Sequence, residues 1–168
     1  MYQIGELVVY GSIGVCRVDG ISCPDPDSSK QFYQLAPLYQ AGVIYTPVEP
    51  GRIPLRPVMS RDDALALLNQ IPSVHAEIYR ERTLQLLAQR YQSTLQTGDP
   101  LQLLSLTMSV YRKRQQAEAQ NRRLGMVDER FGRQAERLLF GELAVALDIP
   151  VDDVPAYIGS HVPESATV

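Results

Sequence analysis

The residues that could do chemistry are few, and their spacing argues against most sites. The chain has 168 residues with two cysteines, Cys16 and Cys23, and two histidines, His75 and His161. Cys16 alternates with Val18 in a strand-like pattern and reads as a small core residue. Cys23 precedes Pro24 in a segment with loop composition, and no further Cys completes a zinc spacing. His75 has only Glu77 close by, too near in sequence to orient it as a triad member would, and His161 falls in the tail. The pairs Asp62-Asp63 and Asp152-Asp153 look like acid–base or metal dyads, but both fall in the first turn of an expected helix, where carboxylates favour the helix dipole. The stretch "GSIG" (11–14) runs into a strand pattern, with no helix N-terminus to receive a phosphate, so it reads as a hairpin turn. No P-loop, dinucleotide fingerprint or nucleophile elbow is present. The expectation is a non-enzyme with neither cofactor nor metal.

Charge is more informative. Lys and Arg number 16 against 19 Asp and Glu, for a net charge of -3. Residues 79–138 nevertheless carry eleven basic and six acidic residues, a net +5, and residues 139–168 carry five acidic and no basic ones. Arg80 and Arg82 open the basic window, Arg112, Lys113 and Arg114 stand together in its middle, and Arg122 and Arg123 follow. Such a window is either a solvated helical face or the footprint of a polyanion. No apolar run reaches the ~20 residues of a membrane span. The start, "MYQIGELVVYG", lacks the features of a signal peptide, so a cytoplasmic location is expected.

Two kinds of periodicity divide the elements that must position these groups. Residues 1–58 read as five short strands: Leu7–Tyr10, Val15–Ile21, "QFYQLAPL", "VIYTPV" and "IPLRPV", joined by Gly-, Pro- and Asp-rich turns. Proline at 37, 47, 54 and 57 suits strand ends and edges. This is the pattern of a Tudor- or SH3-like β barrel. Residues 60–158 read as about five helices, so the fold class is α+β. Ser60 and Asp63 resemble a capping box ahead of "RDDALALLNQI". A second helix is expected over "SVHAEIYRERTLQLLAQRYQSTLQ", with Ile78, Leu84, Leu87, Tyr91 and Leu95 on its buried face and Gly98 as its C-cap. Asp99 and Pro100 start a third, apolar at Leu101, Leu104, Met108 and Tyr111. Asp128 is expected to cap a fourth, with Phe131, Ala135, Leu138, Leu139, Leu143 and Leu147 inward, and a short fifth runs to Ile158. Residues 159–168 are expected to form a flexible tail.

"IGELVVYGSIGVCRVDGI" closely resembles the start of the CarD-family bacterial transcription regulators, and "IYTPVE" resembles a later barrel strand of that family. "LQTGD", "VYRKRQQ", "DERFGRQAERLLFGELAVAL" and "IPVDDVPAYI" resemble its C-terminal helices, in order, with the closest likeness to a clostridia-like form. The resemblance implies a barrel that docks on the β subunit of RNA polymerase and a helical domain that touches promoter DNA at the upstream edge of the melted bubble, tuning open-complex stability. Ile44 and Tyr45 match the polymerase-binding strand, Tyr45 standing where a basic residue is usual; strand alternation turns one of the two inward. Members carry a wedging tryptophan in the helical domain, and this chain has none. Tyr79 lies near the expected place, and the alternative for it is packing between helices. Counting back from "GD" reaches Leu84, which the helical spacing assigns to the core. Tyr79, Arg80, Arg82, Arg112, Lys113, Arg114, Arg122 and Arg123 are the expected DNA contacts, largely to phosphates. The alternative is a protein–protein adaptor on RNA polymerase without direct DNA contact.

Overall fold

A computed structural model describes residues 1–74 and 77–161. His75 and the part of the expected tail beyond residue 161 lie outside the described residues. Five strands form one antiparallel sheet: β1 (Leu7–Tyr10), β2 (Gly14–Ser22), β3 (Phe32–Pro37), β4 (Ile44–Pro47) and β5 (Leu55–Pro57). Their order is β4-β3-β2-β1-β5. The register of the first hairpin, with Leu7 opposite Arg17 and Val9 opposite Val15, follows from the 3-10 turn Gly11–Ile13. That turn needs φ of +47° at Gly11 and +96° at Gly14, where a side chain is strained. A bulge between Val18 and Gly20 bends β2 as it pairs with β3. One face carries the barrel core of Val8, Tyr10, Cys16, Val18, Tyr33 and Leu35. Burial pushes the Cys16 thiol up to about 11. The end strands β4 and β5 are not hydrogen-bonded to each other, so the barrel is open along one seam.

The helices are α1 (Arg61–Asn69), α2 (Leu84–Thr97), α3 (Pro100–Ala119), α4 (Met126–Leu147) and α5 (Val154–His161). Ser60 caps α1 by accepting from the Asp63 N–H, and Asp99 caps α3 by accepting from the Leu101 N–H, with Pro100 at the first position. Gly98 closes α2 at φ +64°. α4 is the central helix, packed against each of the other four and against β2. Its inward row is the expected one: Phe131, Ala135, Leu138, Leu139, Leu143 and Leu147 are all buried. Gly132 in its middle brings α3 close, since a Cβ there would lie 2.6 Å from a Val110 methyl.

Four local expectations are corrected. α2 begins only at Leu84, capped by Thr83, and residues 77–83 run extended or turned. α4 is preceded by Gly125, so Asp128 is no cap but a buried residue inside the first turn. The apolar face of α3 is rotated: Leu103, Leu104, Leu106 and Val110 are buried, and Leu101 and Tyr111 are exposed. α3 packs against both α2 and α4 and is covered from two sides, which a single-stripe reading misses. The last helix continues through His161, past Ile158.

The two halves are locked. Arg56 on β5 donates from both terminal guanidinium nitrogens, Nη1 and Nη2, to the Glu142 carboxylate of α4, at 2.6 and 2.7 Å, and also from Nη2 to the Gly98 carbonyl at 2.7 Å. The Met59 N–H adds a third bond to Glu142 at 3.0 Å. Glu142 is 1% exposed. The Tyr39 hydroxyl donates to the Gly141 carbonyl at 3.1 Å, and Gly141 leaves room for that ring, since a Cβ there would lie 2.9 Å from it.

Candidate functional site

On β4 the alternation resolves between the two candidates. Tyr45 is 58% exposed, and Ile44 packs against the barrel core. Val43 beside them is also exposed. β4 pairs only with β3, so its other edge offers unpaired backbone groups along the open seam. An exposed aromatic on an unpaired edge is the geometry for a partner strand to add to the sheet.

The basic window falls into two sets. The first is internal. Lys113 reaches inward to Asp128 at 2.8 Å and to the Tyr79 carbonyl at 2.8 Å. Asp128 also accepts the Tyr91 hydroxyl proton at 2.6 Å. Burial, and then this bond to the carboxylate, hold the Tyr91 phenol well above the usual tyrosine range. Arg114 pairs with Glu129 at 3.2 Å, and Arg133 joins the same carboxylate at 2.9 Å. Hydrogen bonds from Arg114 and Arg133 hold the Glu129 carboxyl below its ordinary range. Arg112 is half-buried at the rim of an apolar cleft shared with Leu104, Met108 and Leu139. The run 112–114 is therefore not one presented face. Arg133, which holds Glu129 here, was not among the sequence candidates; only its place in the basic window hinted at it.

The second set is outward. Arg80, Arg82, Arg122 and Arg123 are all exposed. Arg80 makes a long bond to Gln116 at 3.3 Å, and among the described residues no side-chain partner stands against Arg82, Arg122 or Arg123. The first two sit on the segment leading into α2, the others on the turn between α3 and α4. The contact of Arg80 with Gln116, near the end of α3, brings these segments to one end of the helical half.

Tyr79 belongs to a column of rings. It stacks on Tyr91 at 4.9 Å, and Tyr91 stacks on Phe131 at 5.5 Å. The Arg90 guanidinium lies 4.2 Å from the centre of the Tyr79 ring, and its hydroxyl bonds Thr94 at 3.0 Å. Stacking, the hydroxyl bond and the Lys113 grip on its carbonyl clamp this segment to the bundle. The ring is thus engaged from within. Leu84 is the opposite case: it is 69% exposed, with Leu86 also exposed nearby. The core assignment from spacing is overturned for a simple reason. A helical side chain lies over the turn N-terminal to its own Cα, and Leu84 is the first residue of α2, with no turn before it to cover.

A five-stranded sheet with an unpaired edge is thus fastened to a helical bundle with an exposed arginine cluster. Residues 2–59 match the CarD-like/TRCF RID domain family. The sheet-forming segment 2–59 is thus similar to a CarD-like/TRCF RID domain, and the match does not extend to the helices or distinguish forms within that family. Curated proteins show no match to the chain. Among the described residues no helix is long and apolar enough to cross a membrane.

Proposed function

We propose that this protein is a transcription regulator that docks on the β subunit of RNA polymerase by the free edge of β4 and contacts promoter DNA near the upstream edge of the bubble with its helical half. The observation that carries the docking is the RID-type match of residues 2–59, together with the exposed Tyr45 on an unpaired strand edge. The DNA contacts are assigned to Arg80, Arg82, Arg122 and Arg123, which reach phosphates and carry no base readout. Leu84 takes the wedge position. Apolar wedges that unstack a base step include leucine as well as aromatics, and an exposed leucine at a helix start leaves the fold unaffected when it inserts. Tyr79 supports that segment from behind through the ring column. Holding an already disrupted step lengthens the life of the open complex.

A second reading, an adaptor without direct DNA contact, draws on the internal ion pairs of Lys113 and Arg114, which remove two cations from the presented surface. Salt titration of binding to forked promoter DNA, with and without polymerase, separates the two. The regulator reading expects a salt-dependent affinity that rises when polymerase is present; the adaptor reading expects polymerase binding indifferent to the fork.

A further inference from the structure

The groove between the two halves has no part in the reading above. It has a volume of about 700 Å³. One wall is the outer face of α4, with Arg130, Arg133 and Arg137; the other is the barrel half, with Ser12 of the 3-10 turn and Gln40 of the β3–β4 loop. Spacings of three and four residues put the three arginines in one row, about 10.5 Å long at 1.5 Å per residue. Among the described residues the one carboxylate lining the groove, Glu129, is already bonded by Arg114 and Arg133. Arg130 lies over the Phe131 ring at 5.3 Å, and Arg137 is exposed with no side-chain partner among the described residues. The Arg56–Glu142 and Tyr39–Gly141 bonds fix the separation of the walls, so the row is held ready without a ligand.

We infer that this groove takes a run of phosphate groups, carried on Arg130, Arg133 and Arg137 and closed from the barrel side by Ser12 and Gln40. A row of arginines along one helix face suits a linear anion that repeats its charge, as a nucleic-acid strand does every ~3.4 Å. The inference rests on the DNA-facing reading in one respect: the strand is taken to continue from Arg122 and Arg123, whose chain neighbours Leu124 and Met126 line the same groove. Its consequence is that the barrel is more than a tether, since its first turn forms part of the nucleic-acid surface.

The test uses the full chain, a labelled forked DNA and inorganic tripolyphosphate as two separate ligands, titrated across 50–200 mM salt. The variant is Arg130→Gln with Arg137→Gln, which spares Arg133 and so leaves Glu129 paired. The control is Arg122→Gln with Arg123→Gln. The expected result is a salt slope for DNA reduced by about 1.8 in the groove variant, two contacts at ~0.9 each. Gln40→Glu should also weaken DNA binding, and a Gln40→Glu protein that binds as before would remove the barrel wall from the site. DNA binding that is lost in the loop control and untouched in the groove variant overturns the groove and leaves the DNA reading standing. Binding of tripolyphosphate that needs Arg130 and Arg137, without binding of DNA, keeps the groove for a free polyphosphate and removes the DNA reading. Binding of neither ligand overturns both.

Discussion

Changing Arg56 to Ala removes the clamp between the halves. Four bonds go at once: two to the Glu142 carboxylate, one to the Gly98 carbonyl and one to the neighbouring Pro57 carbonyl. Glu142, 1% exposed in the native fold, is left with only the Met59 N–H as a protein partner. Breaking a buried pair from one side costs about 3–5 kcal/mol, because the stranded charge loses its compensation. Arg56 is 29% exposed on its side chain, so water enters the vacated space and the lower end, about 3 kcal/mol, applies. At ~2–4 °C per kcal/mol for a chain of this size, the melting temperature should fall by about 6–12 °C. Arg56→Met with Glu142→Leu removes both charges and fills the volume, so it should recover most of the loss. Circular dichroism melts and urea titrations of the three proteins measure this. A loss under ~1 kcal/mol in Arg56→Ala, or a double variant no better than the single one, would refute the claim that stranding of Glu142 is the cause.

Leu84→Ala should shorten the open-complex lifetime with a stability change within ~0.5 kcal/mol, as for an exposed site, and Leu84→Trp should lengthen it; Tyr79→Ala should instead lose about 3 kcal/mol of stability through its packing and stacking. Equal stability losses at the two positions, by thermal melt, would contradict this division. The raised Tyr91 phenol makes a pH prediction: it keeps its proton in the fold after an unfolded tyrosine, at 10.0, has lost it. Stability is thus fully present below that value and falls above it by up to ~1.4 kcal/mol per pH unit, a slope that Tyr91→Phe should flatten in urea titrations at pH 9.5–11. Thiol labelling of the native chain at pH 8 should modify Cys23, which is exposed, and spare Cys16, which is buried with its thiol held up to about 11; rapid labelling of both would contradict the barrel core.

The strands were readable because each is a short run bounded by residues that force a turn, and Gly11 and Gly14 occupy backbone that needs glycine. The inward row of α4 was readable for a similar reason, since one unbroken period runs from Phe131 to Leu147. Helix starts were less so. Thr83 competes with an apolar spacing that continues past it, and the ring column that makes the preceding segment non-helical pairs Tyr79 with Tyr91 and Phe131 across three elements. For the site, alternation alone requires that one of Ile44 and Tyr45 face outward without saying which, and the basic window alone does not separate Arg80, Arg82, Arg122 and Arg123 from the run 112–114. The inward turn of Lys113 does not follow from local pattern, because its partner Asp128 is fixed only when α3 and α4 cross. The Arg56–Glu142 lock is invisible for the same reason, joining residues 86 apart in the chain.

The proposed function depends above all on docking of the β4 edge on RNA polymerase. Its most direct test is binding of the full chain to purified fragments of the polymerase β subunit, alongside Tyr45→Glu. The account predicts binding by the native chain and a loss of about tenfold or more, ~1.4 kcal/mol, in Tyr45→Glu, with an unchanged melting temperature because Tyr45 is exposed. Undiminished binding by Tyr45→Glu, or no binding of the native chain to any β-subunit fragment, would contradict it.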